Sequence, residues 1–349
     1  MKKKNIAILF GGASAEYLIS LQSAYAVITH LDTDKYVPVL VGVTKQGHWF
    51  HYRGDAEDIL SDTWCDPKYC VQAFISPCRK NTGLVEFDTD GPNFTKLDAA
   101  FPIMHGSFGE DGTVQGLLEL AGIRIVGCGT LASAICMDKD VAHKLAAREG
   151  IAVPPSMTFA RKADLGEIKA TAEALGYPVF VKPVKAGSSF GISKVVDFSS
   201  LPVAVEEALK YDTRIILEKE IEGFEVGCAV LGNDELTVGE LDEVELKRGF
   251  FDYREKYNLI TAKIHVPARI SAEKASEVKQ IASKLYRLFR CSGFARIDFF
   301  VDLNGKILFN EVNTIPGFTT HSRYPAMMKS AGLDFGTVVN KLIEMAVAP

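Results

Sequence analysis

The stretch ARIDFFVDLNGKILFNEVNTIPGF, Ala295 to Phe318, constrains the fold more tightly than any other part of the chain. Two short apolar runs are joined by Asp-Leu-Asn-Gly, which reads as a β-hairpin turn. Strand side chains alternate between faces, so the register decides which residues share a surface. With Asp302 opposite Gly305 and Leu303 and Asn304 at the tip, Asp298 faces Phe309 and Arg296 faces Glu311. Residues 296, 298, 309, 311 and 313 then share one face. Ile297, Phe299, Val301, Leu308 and Val312 form the mostly apolar opposite face, with Asn310 as its exception. Charged groups are costly to bury unless something pairs with them. Asp298, Glu311 and Asn313 on one face offer the hard oxygen donors that Mg²⁺ takes alongside phosphate oxygens. An Arg296–Glu311 salt bridge on a solvated face is the competing reading, and the hairpin alone does not separate the two.

At 349 residues the chain exceeds what one core usually serves, so two or three domains are expected. The first third alternates strand and helix: NIAILF, a helix from about Ala15, YVPVLVGV, LDAAFPIM and IRIVG. That is the rhythm of a parallel sheet with helices on its faces. Gly54 to Pro92, rich in Asp, Pro and Cys, reads as an irregular excursion. A helix over MDKDVAHKLAARE follows, stopped by Gly150. YPVFVKP and FGISKVV are strands separated by VKAGSS, and RIILEKE, FEVGCAVLG and ELTVGELDEVEL are further strands. A long helix near 271–290 precedes the hairpin, and one over Phe335–Ala346 closes the chain. Three α/β units result, 1–127, 128–218 and 219–349.

The net charge of −5 argues against a nucleic-acid partner. No apolar run approaches the ~20 residues of a membrane span, and Ile6–Phe10 is too short for a signal-peptide core. Seven cysteines, at 65, 70, 78, 128, 136, 228 and 291, are scattered and include no C-x-x-C pair. A zinc or disulfide framework is therefore disfavoured, and a reducing cytoplasm is the expected setting.

Neither a P-loop nor a G-x-G-x-x-G dinucleotide site is present, which weakens a dehydrogenase reading. The glycine-rich candidate is KPVKAGSSFG, Lys182 to Gly191, where small residues let backbone N–H groups approach an anion. A flexible hairpin tip with a capping lysine is the plainer alternative. In EKEIEGFE, Glu218, Lys219 and Glu225 flank a segment able to present backbone groups to an adenine edge and a carboxylate to ribose. A solvated linker would look the same. Combined with the Asp/Glu/Asn face, and with Lys139 in CMDKD as a second phosphate lysine, these parts could hold Mg-ATP.

In order along the chain, GGASAE, MHGSFGEDGTVQGLLEL, MDKD, VFVKP, AGSSFG, FEVGCAVLG, FFDYREKY, ARIDFF and NEVNTIPGFTTHSRYP resemble the D-alanine–D-alanine ligase family. The resemblance covers essentially the whole length. It implies a three-domain α/β ATP-grasp fold, with an N-terminal parallel-sheet domain and ATP held between two sheets. It further implies that Lys139, Lys182, Ser189, Glu218, Lys219, Ile221, Glu225 and Lys256 bind ATP. Asp298, Glu311 and Asn313 would hold two Mg²⁺ ions, or Mn²⁺. The implied reaction runs from a first D-alanine through an acyl phosphate to a dipeptide. Arg296 and the backbone of Gly317 would stabilise the oxyanion, and Glu16 would face the first ammonium group, with His105 nearby. Ser188 and Tyr257 would join Glu16 in closing a lid over 249–258.

The acceptor rests on Ser322, Arg323 and Phe251. Arg323 falls where D-Ala–D-Ala enzymes carry Leu or Met, and an arginine there resembles the vancomycin-resistance ligases. With Lys256-Tyr257 retained and Phe251 in place of Tyr, the pattern resembles D-alanine–D-serine ligases of the G type. A bland reading pairs Arg323 with a nearby carboxylate. Tyr17, Leu18 and Ser107 depart from the commoner residues near the substrate mouth. The expected protein is a cytoplasmic D-alanine–D-serine ligase, a homodimer by family expectation. Alternatives are a housekeeping D-alanine–D-alanine ligase and a nucleotide-binding sensor without catalysis.

Overall fold

The structure, a computed structural model, describes residues 2–88, 91–187, 189–246 and 262–348. In β1 (Lys4–Gly11), Ile6 to Phe10 are fully buried. Such a continuous apolar run suits a central strand covered on both faces. It pairs in parallel with β2 (Tyr36–Val43) on one side. The remaining strands of this sheet are β3 (Trp49–Tyr52), β4 (Cys70–Ile75), β5 (Gly83–Asp88), β6 (Gly91–Lys96), β7 (Ala99–Ile103) and β8 (Arg124–Ile125). Their order is β6-β5-β4-β3-β2-β1-β7-β8. The β2-β1-β7-β8 half is parallel, and the rest is antiparallel.

That antiparallel half corrects one expectation. Gly54 to Pro92 is not irregular: it forms the helix Ala56–Leu60 and, through β4 to β6, extends the first sheet. Ala73, Ile75 and Leu84 pack inward, while Phe74, Phe87 and Phe94 are exposed on the other face. Aromatic residues on the solvent side erase the apolar/polar alternation from which a strand is read. Trp64 anchors the excursion. It is fully buried edge-on to Phe10, ring centroids 5.0 Å apart, and its Nε1–H donates to Tyr17 Oη at 2.9 Å. Tyr17 also donates to Asp62, so this departure from the commoner pattern binds the excursion.

The second sheet is antiparallel, with β9 (Ser156–Ala160), β10 (Val179–Pro183), β11 (Ser193–Val195) and β12 (Arg214–Lys219) in the order β11-β10-β12-β9. The third holds β13 (Gly223–Gly232), β14 (Leu236–Leu246), β15 (Ala262–His265), β16 (Phe294–Asp302) and β17 (Ile307–Asn313), in the order β15-β14-β13-β16-β17. The expected helix after Gly127 begins at Lys139, capped by Asp138, and the helix Thr130–Met137 precedes it. The expected long helix spans Ala272–Leu288, and the closing helix Phe335–Val347 packs into the core beneath β1 and β7. Phe318 joins these parts, its ring within 6.0 Å of Phe101, 5.1 Å of Phe294 and 5.0 Å of Phe335. No helix among the described residues is long and apolar enough to cross a membrane.

The β16–β17 hairpin corrects the register read from sequence. Asp302 pairs with Lys306, not Gly305: its N–H donates to Lys306 O at 3.0 Å, and Gly305 N–H donates back to Asp302 O at 2.9 Å. The loop is thus Leu303-Asn304-Gly305, with Gly305 at φ +77°. This is the three-residue connection that places glycine in the left-handed region. Alone, the longer loop would move Glu311 and Asn313 to the face opposite Asp298. A bulge supplies a second one-residue shift. Phe299 lies opposite Phe309 but Asp298 lies opposite Glu311, leaving Asn310 as the extra residue. The two shifts cancel in parity, so Asp298, Glu311 and Asn313 do share a face, with Arg296 opposite Asn313.

Phe309, expected on that face, lies instead in the core. It sits 5.6 Å from Phe289 and 6.3 Å from Phe299, ring to ring, and is fully buried. Phe309→Ala should therefore lower the unfolding free energy by about 3–5 kcal/mol in urea titrations. A substitution on a solvated or ligand-facing position would cost far less.

Candidate active site

A cleft of ≈ 370 Å³ opens between the second and third sheets. Lys139, Lys182, Ser189, Glu218, Lys219, Ile221, Glu225 and Glu311 all line it. Phe180, Ile192, Phe224 and Phe300 add apolar walls. Lys182 on β10 and Glu218 on β12 are buried together, Nζ to Oε1 at 2.5 Å. Register explains the pairing, since Phe180 lies opposite Glu218 and Lys182 shares its face two residues on. The other oxygen, Glu218 Oε2, is buried without a hydrogen-bond partner among the described residues. An acceptor orphaned in this way costs free energy unless a donor reaches it. A ligand amino group in the cleft would supply one.

Lys139 opens the helix Lys139–Arg148, where backbone N–H groups and the helix dipole favour anions. Its Nζ donates to Ala186 O at 2.9 Å and lies 3.3 Å from Glu311 Oε2. It thereby spans the glycine-rich loop and β17. Asp138 steadies it, accepting from Val141 N at 3.1 Å and pairing with Arg214 of β12.

One row across the third sheet carries three acids, Asp242 on β14, Asp298 on β16 and Glu311 on β17, with Gly227 of β13 between the first two. Like charges facing each other across strands are destabilising. Two guanidinium groups offset this. Arg296 grips Asp298 through Nε to Oδ1 at 2.8 Å and Nη2 to Oδ2 at 2.8 Å. Arg323 binds Asp242 at 2.6 and 2.8 Å and Glu225 at 2.8 Å, and lies 3.5 Å from Asp298. Burial alone would raise the Asp298 pKa, but Arg296 and then Arg323 bring it below the usual carboxylate range. The competing Arg296–Glu311 bridge is not what forms: Arg296 pairs with Asp298, and Glu311 with Lys139.

Glycine at 227 makes room for this network. A Cβ there would lie 2.4 Å from Asp242 Oδ1 and 2.7 Å from Arg323 Nη2. Within ELDEVEL nothing in the sequence marks Asp242 off from the neighbouring acids. The sequence signal is Gly227, an isolated glycine inside the strand pattern FEVGCAVLG, which marks a close approach by another group.

The donor set suits Mg²⁺: two carboxylates, Asp298 and Glu311, plus the amide of Asn313, whose Nδ2 donates to Asp298 Oδ2 at 3.0 Å. Among the described residues no three His, Cys, Asp or Glu side chains form a metal-binding group.

Glu16 lies in the loop that follows β1, at the N-cap position of the helix Tyr17–His30, and is buried. Its Oε2 fills the space that a Cβ on Gly106 or Gly187 would enter, at 2.2 and 2.7 Å. It therefore lies between the loop after β7 and the glycine-rich loop. His105 is buried nearby, and burial holds its imidazole down to about 4. The neutral ring donates from Nδ1 to Ile315 O at 2.9 Å, and its Nε2 lies 3.0 Å from Ser23 Oγ. Gly317 packs beside Ser322, whose Oγ accepts from Thr319 N at 3.1 Å at the start of the helix Arg323–Ser330. Burial, then the charge of Glu16, push the Glu110 carboxyl up to about 8. Ser188, Phe251, Lys256 and Tyr257 lie outside the described residues.

Two antiparallel sheets closing on a lysine-lined cleft, behind a parallel-sheet unit, make the ATP-grasp architecture. Residues 5–128 match the family model described as D-ala D-ala ligase N-terminus, and residues 145–344 match D-ala D-ala ligase C-terminus. A D-alanine–D-alanine ligase of Caldicellulosiruptor bescii is 44% identical, across 99% of this chain and 96% of the relative. The vancomycin C-type resistance protein VanC1 of Enterococcus gallinarum is 44% identical, across 98% of each. The crystal structure of the VanG D-Ala:D-Ser ligase from Enterococcus faecalis superposes with a TM-score of 0.91 and 51% identity, covering 99% of this chain and 100% of that one. The chain belongs to the D-alanine–D-alanine ligase family of ATP-dependent ligases.

Gly227→Ala should displace the Arg323 guanidinium. The expected loss is about 1–3 kcal/mol of unfolding free energy, read as a lowered urea midpoint. An unchanged midpoint would mean that the network has slack at this point.

Proposed function

We propose that the chain is an ATP- and Mg²⁺-dependent D-alanine–D-serine ligase, forming a peptidoglycan precursor dipeptide that confers glycopeptide resistance. Arg323 forms the carboxylate pairing that the plainer reading expects, with Asp242 and Glu225; the observation that carries the D-serine reading is that these pairs fix it over the same row of the sheet as Asp298. Arg323, or a water it holds, offers a hydroxyl-bearing acceptor a hydrogen bond that an alanine methyl does not engage. Likeness to a protein described as a D-Ala:D-Ser ligase supports the same choice.

In this reading Lys139, Lys182, Ser189, Glu218, Lys219, Ile221, Glu225 and Lys256 bind ATP, with the Glu218 oxygen that lacks a partner accepting from the adenine amino group. Asp298, Glu311 and Asn313 hold two Mg²⁺ ions or Mn²⁺. When bound, the metal neutralises phosphate charge. Glu16 orients the first D-alanine by its ammonium group, while Ser188 and Tyr257 help close the site. The D-alanine carboxylate oxygen bonds to the γ-phosphorus as the bond to ADP breaks. The amine of the acceptor then attacks the acyl carbonyl, loses a proton and displaces phosphate. Arg296 and the Gly317 N–H stabilise the oxyanion, a role typically worth ~2.7–4 kcal/mol per donor. Excluding water protects the acyl phosphate. Ser322, Arg323 and Phe251 shape the acceptor side.

The test supplies ATP, Mg²⁺ and equal D-alanine and D-serine, and identifies the dipeptides. D-Ala–D-Ser should dominate. A dominant D-Ala–D-Ala product overturns the acceptor choice and leaves a housekeeping ligase. Absence of ADP release with every D-amino acid points to a nucleotide-binding protein without catalysis. Replacing Arg323 alone would strand the buried Asp242, which typically costs about 3–5 kcal/mol. The informative variant is therefore Arg323→Met with Asp242→Asn, expected to shift the product ratio towards D-Ala–D-Ala by at least about tenfold.

A further inference from the structure

Glu110 has no role in the proposed reaction, yet its carboxyl group joins two loops that come from different sheets. Its Oε2 accepts from Gly106 N at 2.9 Å, in the loop after β7, and its Oε1 accepts from Ile315 N at 2.9 Å, just beyond β17. The same Ile315 offers its carbonyl to His105 Nδ1–H at 2.9 Å. One residue is thus held on both its backbone groups by side chains from the 105–110 loop.

Each bond ends beside a different part of the reaction centre. Gly106, at φ +74°, forms the wall against which Glu16 rests, with Glu16 Oε2 occupying the place of any Cβ. Ile315 follows Asn313 by two residues and precedes Gly317 by two. Glu110 also lines the small cavity it shares with Lys139, Gly187, Glu311 and Asn313. The hydrogen-bonded link between the loop beside Glu16 and the 315–317 loop therefore passes through this carboxyl group.

We propose that Glu110 is a positioning residue that sets the first D-alanine, held at Glu16, in register with the oxyanion donors on the 315–317 loop. The inference rests on the ligase reading above. Each oxygen of the carboxyl group, neutral or ionised, keeps a lone pair for a backbone N–H, whereas glutamine of the same size presents one acceptor and one NH₂, so one backbone N–H would face a donor. Aspartate keeps both acceptors on a shorter stem that does not span the two loops together.

The experiment compares wild type, Glu110→Gln and Glu110→Asp by steady-state kinetics and by amide hydrogen exchange on the 104–110 and 313–318 segments. Both variants should lose about 10–100-fold in kcat/KM for the first D-alanine, the scale of a misplacement near 1 Å. KM for ATP should stay within about twofold. Exchange at Gly106 and Ile315 should accelerate in both variants while the core strands remain protected. Wild-type kinetics in Glu110→Gln would overturn the proposal. So would an equal loss for ATP and D-alanine with a fallen melting temperature, which would mark a purely structural residue. If the wild-type protein itself forms no dipeptide, the ligase reading fails separately. Exchange then still decides whether Glu110 clamps the loops, and unaltered exchange at Ile315 in both variants would refute it.

Discussion

Three carboxylates lie along one row of the third sheet, interrupted by Gly227, and two guanidinium groups lie over that row. Removed from water, these acids would repel one another strongly, because the interior screens charge far less than solvent does. Arg296 and Arg323 change the balance, and each is held by more than one hydrogen bond, so neither charge has a single alternative position. The sheet and the site are therefore stabilised by the same contacts. Arg323 starts the helix Arg323–Ser330, so the helix after the hairpin is tied to β13 and β14 through its first side chain.

A similar economy runs through the cleft. Lys139 touches both the glycine-rich loop and Glu311, while Asp138, one residue earlier, caps its helix and binds Arg214 on β12. One short segment thereby links the second sheet, a lysine of the cleft and the acid-bearing strand. On the far side of the centre, His105 and Glu110 hold Ile315. Each cluster connects sheets through buried charge or backbone hydrogen bonds, where partners lost on opening would leave polar groups unsatisfied.

The hairpin shows how a sequence-level conclusion can survive faulty geometry. Asp-Leu-Asn-Gly suggested a two-residue turn, but the actual loop has three residues and the partner strand bulges at Asn310. Facial identity depends only on whether the shift is odd or even, so the acids stayed together while Phe309 moved into the core. The excursion after Gly54 failed differently. Its exposed phenylalanines removed the alternation by which strands are read, and the fixing contact, Trp64 on Phe10, joins distant parts of the chain. Asp242 stayed hidden in ELDEVEL among other acids, because nothing local distinguishes the one that meets Arg323.

Local pattern sufficed for the alternating α/β framework and the hairpin, because periodicity is a property of neighbouring residues, and the family was legible only as a resemblance carried by motifs in their order along the chain. Tertiary structure alone decided that Arg296 pairs with Asp298 and not Glu311, that Gly227 opens a space for Arg323, and that Glu110 meets Ile315. Those pairings depend on which side chain reaches a given point first across strands far apart in sequence. A one-residue bulge or an absent Cβ settles that, and neither leaves a periodic trace.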